Sequence, residues 1–267
     1  MCSCAVAKGR IVNRATIHLV IVVLAALVSC DGALAQDTEL RDLDVSHWFC
    51  LSKTTGTATQ PNEQERNLMK NRSFPSILPL NIEQLDSVSF LEKVTAYDAK
   101  LKARRRADLD QTGKQQLLAF ENQIVSLTGW LVLAYPGLAE STNCNDGAFH
   151  DWHLEVFSES SDHPPQVDDP TPIICEITPR TEKILYDQGV RVRPLAAFIR
   201  FSDNSCQPTG HSPRKVRVTG YLMWDDVHNG PDAVGPKVKF VGNDKLHHPW
   251  RATAWEVHPI LKLETVE

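Results

Sequence analysis

The chain lacks the short motifs that name most enzyme classes. It contains no GxGxxG, no GxxxxGK[ST] and no GxSxG, which sets aside dinucleotide, P-loop and α/β-hydrolase chemistry. HExxH is missing, and no CxxC pair exists, so a zincin helix and a zinc ribbon are both excluded. A surplus of positive charge is also missing: 28 basic residues face 33 acidic ones, a net charge of −5. There is thus no general electrostatic pull toward nucleic acid. The apolar stretch at residues 17–28 spans only 12 residues, too short to cross a bilayer.

That short run has the proportions of an export signal. Lys8, Arg10 and Arg14 precede it as a positively charged n-region. Two exits follow. Ala33-Leu34-Ala35 before Gln36 fits a small-x-small cleavage site, and Leu27-Val28-Ser29-Cys30 fits a lipoprotein box that would make Cys30 a lipidated N-terminus. The box directly abuts the apolar run and is the preferred exit. Residues 1–35 are therefore expected to be a signal peptide, and the product to be extracytoplasmic: periplasmic, envelope-anchored or secreted. Membrane association is expected only through Cys30. Removing these residues leaves 25 basic and 32 acidic residues, a net charge of −7. Of the seven cysteines, Cys50, Cys144, Cys175 and Cys206 remain, enough for two disulfides in an oxidising compartment. Cys175 lies in an apolar strand and also reads as a buried thiol.

Residues 36–120 read as a polar, helix-leaning N-terminal arm. Residues 62–71 have few apolar anchors and need a partner surface. Leu85, Val88, Phe90, Leu91, Val94 and Leu101 recur at helical spacing. Arg104, Arg105 and Arg106 read as a solvated helix end. A further short helix is expected over residues 112–122. From residue 123 the period changes to two. Strands are expected over residues 124–134, 151–157, 173–178, 215–224 and 251–257, with a short helix at residues 181–188 between the third and fourth. Gly129 and Gly220 fall inside strands, where a barrel must bend. The fold class is thus mainly β with a helical arm, the domain at residues 121–267 being an OB-like five-stranded barrel.

The richest chemistry is an acid-x-His spacing that occurs three times, each beside a tryptophan. The triplets are Asp151-Trp152-His153, Asp226-Val227-His228 after Trp224, and Glu256-Val257-His258 after Trp255. On a strand, residues i and i+2 share a face. Trp152, Trp224 and Trp255 have the inward parity of the aliphatics and read as core, as does Trp130. Asp151 and His153 then lie on the outer face of strand two, and Glu256 and His258 on that of strand five. OB barrels bind ligands on the outer face of strands two and three, framed by the first and last inter-strand loops.

Asp151, His153, His228, Glu256 and His258 could hold a divalent metal such as zinc, with Cys144 as a further donor. The competing reading makes each pair a carboxylate that merely orients its own imidazole. Asn143 and Cys144 sit in the first loop, where Cys144 is a disulfide half or an activated thiol and Asn143 a turn former or ligand contact. Arg180 and Arg251 could clamp an anion or pair with a nearby acid. His247-His248 reads as a solvated pair. The expected function is a binding module for an extracytoplasmic ligand. The alternative is a metal-dependent hydrolase in which Asp151, His153, Glu256 and His258 hold the ion or activate water, with Arg180 or Arg251 stabilising negative charge.

Several runs carry a wider likeness: MKNR at 69–72, ESTNC at 140–144, DWHLEV at 151–156, EITPR at 176–180, VRVTGYLMWDDVH at 216–228 and RATAWEVHPI at 251–260. In these the chain resembles an uncharacterised family of exported bacterial proteins, from about residue 65 to the end. The resemblance implies an OB-like module behind a signal peptide and implies no chemistry. The long stretch at 229–250 and the cysteines at 50, 175 and 206 depart from that pattern. The export reading has a direct check: the mass of the mature protein should fit a lipidated Cys30, and an unmodified Gln36 N-terminus would contradict the anchor.

Overall fold

The computed structural model describes residues 38–267, which form one compact unit. The expected signal peptide and lipoprotein box, including Cys30, lie outside the described residues. Five strands close on themselves: β2 (Ile124–Pro136), β3 (Trp152–Phe157), β4 (Ile173–Ile177), β7 (Arg214–Trp224) and β10 (Trp255–Thr265). β3 pairs antiparallel with β2 and β4, and β7 antiparallel with β2 and β10. The ring is closed by a parallel contact of β10 with β4, at Val257 opposite Cys175. This is the OB-like order anticipated from the strand spacing, and α4 (Pro179–Asp187) lies between the third and fourth barrel strands. Short β5 (Phe198–Arg200) and β6 (Cys206–Pro208) extend the sheet beside β2, and β8 (Phe240–Val241) pairs antiparallel with β9 (His247–His248) in a separate two-stranded sheet.

Strand alternation decides what fills the barrel. Trp152, Leu154 and Val156 point inward with Cys175 and Ile177, Val216 and Val218, Leu222, Trp224, Trp255 and Val257. The strands bend where the glycines sit. A Cβ on Gly220 would lie 2.5 Å from the Pro259 carbonyl oxygen, and one on Gly129 would lie 2.7 Å from that of Phe157. Only glycine permits such close approach of backbones.

The arm differs from expectation in being part of the barrel's core. β1 (Glu83–Asp86) pairs parallel with β2 and leads into α2 (Ser87–Leu101), whose N-terminus is capped by Asp86. α3 (Gln111–Glu121) is capped by Asp110. Leu85, Phe90, Val94 and Leu117 join the same hydrophobic cluster as the barrel interior. Arg106 is not a solvated helix end. It is buried, paired with Glu121 and Asp226, and donates to the Trp224 carbonyl.

The apolar-poor stretch forms α1 (Pro61–Lys70), which docks through polar groups. Asn67 donates to the Thr55 carbonyl and accepts from Thr142 Oγ1, each at 2.9 Å. Asn71 donates to the carbonyls of Thr54 and Thr142. Arg72 reaches the carbonyls of Glu121, Leu222 and His258 and stacks on Tyr221. Upstream, a disulfide joins Cys50 to Cys144 across 94 residues, and Trp48 stacks on Phe149 with centroids 4.5 Å apart. Cys144 is therefore a bridge half and not a nucleophilic thiol, while Cys175 and Cys206 are unpaired. A closed loop of this length restricts the unfolded chain by about 4–5 kcal/mol. Replacing both Cys50 and Cys144 with serine should lower the unfolding free energy from urea titration by a comparable amount, and dithiothreitol should then have no further effect.

A buried charge network beneath a surface cleft

Three adjacent strands supply the polar face. His153 on β3 stands opposite Glu176 on β4. On β10, Glu256 and His258 flank Val257, which pairs with Cys175 beside Glu176. Parity therefore brings Asp151, His153, Glu176, Glu256 and His258 to one outer patch. The expectation of a surface site fails in one respect. Asp151, Glu256 and His258 are fully buried and Glu176 nearly so, because α1 and the segment around residues 225–251 supply groups that cover them.

The contacts run in a continuous chain. Asn143 Nδ2 donates to Asp151 Oδ1 at 2.9 Å, and Asp151 Oδ2 lies 3.8 Å from His258 Nε2. His258 Nδ1 is 2.8 Å from Glu176 Oε2 and 3.4 Å from Glu256 Oε2. The other oxygen of Glu176 is 3.1 Å from His153 Nε2. Lys70 Nζ stands 3.0 Å from Glu140 and 3.7 Å from Glu176. Arg251 Nη1 bridges Glu256 at 2.6 Å and Asp225 at 3.1 Å, and Asp225 meets His228 Nδ1 at 2.5 Å.

Burial and neighbouring charge oppose each other throughout. Burial pushes the Glu176 carboxyl up, but His153, Lys70 and His258 outweigh it and hold the group well below the usual range. Burial disfavours a charged His258, yet Glu176 and Glu256 raise it to about 9. His153 is also raised: the Glu176 carboxylate prevails over burial. Asp151 moves the other way, lifted by burial to about 6 against the pull of His258. Glu256 is lifted by burial and by Glu176, with Arg251 opposing. Asp225 is held far below its ordinary value because the His228 hydrogen bond and Arg251 overcome burial.

The structure thus joins Asp151, His153, Glu256 and His258, and adds Glu176, Lys70 and Glu140, which the acid-x-His spacing did not single out. The signal for Glu176 was present: a lone acid in an apolar strand, with Cys175 before it facing inward. His228 is not among the converging groups. Asp225 and Arg251 stand between it and Glu256, and the imidazole is half-exposed. Arg251 is fully buried as the partner of two carboxylates. Arg180 donates to Asn71 Oδ1 and to the Cys50 carbonyl and lies over Trp48, so it braces the arm. His247 is buried 3.5 Å from Glu155, unlike the solvated pair expected from the sequence.

Above the network lies an open cleft of about 410 Å³, lined by Tyr135, Glu140, His153, Arg200, His228 and Trp250 among others. His153 forms part of its lining and stacks on Tyr135 with centroids 5.0 Å apart. The Arg200 guanidinium also lies over the Tyr135 ring, 3.3 Å from its centroid. The first and last inter-strand loops frame this cleft, the position expected for an OB-like barrel.

Glu182 on α4 is a further buried acid near the network. It accepts from the Arg41 backbone at 2.8 Å, and burial raises it to about 7 despite Arg41. The folded state therefore keeps this proton where the unfolded chain has released it. The stabilising contribution is complete below pH 4.5 and is lost as the pH rises through about 7. Glu182→Gln removes that loss: urea midpoints of both proteins at pH 5 and pH 8 should show the variant gaining up to about 3 kcal/mol on the wild type.

Comparisons with protein-family models, with curated proteins and with solved structures find no match to this chain.

Proposed function

We propose that the protein is an exported binding module of OB-like architecture whose ligand seat is the cleft between the first and last inter-strand loops. The observation that carries this reading is the cleft itself, an open space of about 410 Å³ on the side of the barrel where such folds take ligands. Its walls combine a guanidinium, Arg200, with aromatic surface from Tyr135 and Trp250 and with polar groups from Ser202, Asn204 and His228. That chemistry suits a small anion bearing a carboxylate or phosphate, held by Arg200 and packed against the rings. The Cys50–Cys144 bridge, the apolar segment near the N-terminus and the resemblance to exported bacterial proteins support the extracytoplasmic part of the proposal.

A hydrolase has less support. The acids that would activate water, Asp151 and Glu256, are fully buried, and Arg251 is consumed by Asp225 and Glu256.

The test is a thermal-shift panel of small carboxylates and phosphates against a chloride control, followed by calorimetry on the best binder. Binding should saturate at one site, and Arg200→Ala should weaken it at least tenfold. Affinity unchanged in Arg200→Ala, or no response to any member of the panel, would refute this assignment.

A further inference from the structure

We propose that Asp151, Glu176 and His258 hold a divalent metal ion of the zinc class, a structural centre that ties β3, β4 and β10 together beneath the cleft. One nitrogen and two carboxylate oxygens from these residues lie within 4.8 Å of one another, all in the buried interior. One imidazole and two carboxylates form a donor set suited to zinc and its first-row neighbours.

Acidic clusters are common without metals, and a second observation distinguishes this one. Asp151 Oδ2 and His258 Nε2 are buried without a hydrogen bond and face each other at 3.8 Å. Asp151 gives only its other oxygen to a neighbour, whereas Glu176 Oε2 also lies 2.8 Å from His258 Nδ1. Asp151 Oδ1 accepts from Asn143, and Glu176 Oε1 faces His153. His258 turns Nδ1 toward Glu176 and Glu256 and leaves Nε2 toward Asp151. Outer groups that fix one atom of a ligand and leave the other aimed inward are what a metal centre requires of its surroundings. Donors about 2 Å from a tetrahedral zinc ion stand roughly 3.3 Å apart, so a small inward movement from the observed 3.8 Å between His258 Nε2 and Asp151 Oδ2 completes the contact. Lys70 Nζ stands 3.7 Å from Glu176 Oε2 and 3.0 Å from Glu140. The centre goes beyond the ligand-binding reading and does not depend on it, since it is measured with nothing added to the cleft.

The experiment uses the purified, folded chain without a histidine tag, stripped by chelator and then given zinc or cobalt(II). The wild type should retain about one zinc per chain through desalting and melt at a higher temperature when loaded. Cobalt should show the intense visible bands of a low-coordinate site. Asp151→Ala and His258→Ala should lose the ion, Asn143→Ala should bind it about 10–100-fold more weakly, and His248→Ala should be unaffected. Two results would overturn the proposal. One is a wild type that takes up no stoichiometric zinc, with an unchanged melting temperature and no cobalt bands. The other is a folded His258→Ala protein that retains the ion. The wild-type arm decides the matter even where a variant fails to fold.

Discussion

Carboxylates on the outside of a small barrel normally stay in water, and here Asp151, Glu176 and Glu256 do not. Removing an unpaired carboxylate from water costs several kcal/mol, so each needs a compensating partner. Lys70 from α1, Arg251 from the segment before β10 and the imidazoles of His153 and His258 supply them. The rest of the molecule follows from that requirement. The arm must close over the barrel for Lys70 to arrive, and the long connection between β7 and β10 must fold back for Arg251 to arrive. A helix with almost no apolar face can dock only because its polar side chains, and those of the two residues that follow it, complete bonds that the barrel leaves open, as Asn67, Asn71 and Arg72 do.

This arrangement changes the meaning of the OB-like fold. The outer face that such barrels commonly leave open is largely roofed, and only its edge remains as a cleft around His153. The buried network beneath can hold that imidazole in place through Glu176. Ligand contact and charge burial are thus separate layers, joined at one side chain. A metal at Asp151, Glu176 and His258 would belong to the lower layer and would stabilise the barrel without touching a ligand.

The barrel was legible because its signal is local. Alternation at 152–156 and 216–224, the apolar run before Pro136, and glycines at 129 and 220 each follow from strand geometry. The inward tryptophans followed from the same parity. The candidate site was legible in part: parity placed Asp151, His153, Glu256 and His258 on one face, and the strand order brought them together. Glu176 escaped because it belongs to no acid-x-His pair. Lys70 and the burial of Arg106 escaped because a charged residue in a polar segment carries no mark of burial, whereas Arg251 was singled out and pairs with acids. His228 was assigned to the cluster on spacing alone, yet it falls in a short 3-10 turn, where i and i+2 no longer share a face.

What the amino-acid sequence determined by itself was the five barrel strands, although the last runs Trp255–Thr265 and not 251–257, with their inward and outward faces and the bends that let them close, since these depend on neighbours within a few residues. What only the tertiary structure decided was which outward faces are wet. That depends on segments tens to hundreds of residues away: Lys70 reaching Glu176, Cys50 joining Cys144, and Arg72 bonding the carbonyl of His258. The physical reason is that hydrophobic periodicity reports the side of a strand facing its own sheet's core. It contains no information about a second layer held on by charge and hydrogen bonds, whose strength exists only once water has been removed.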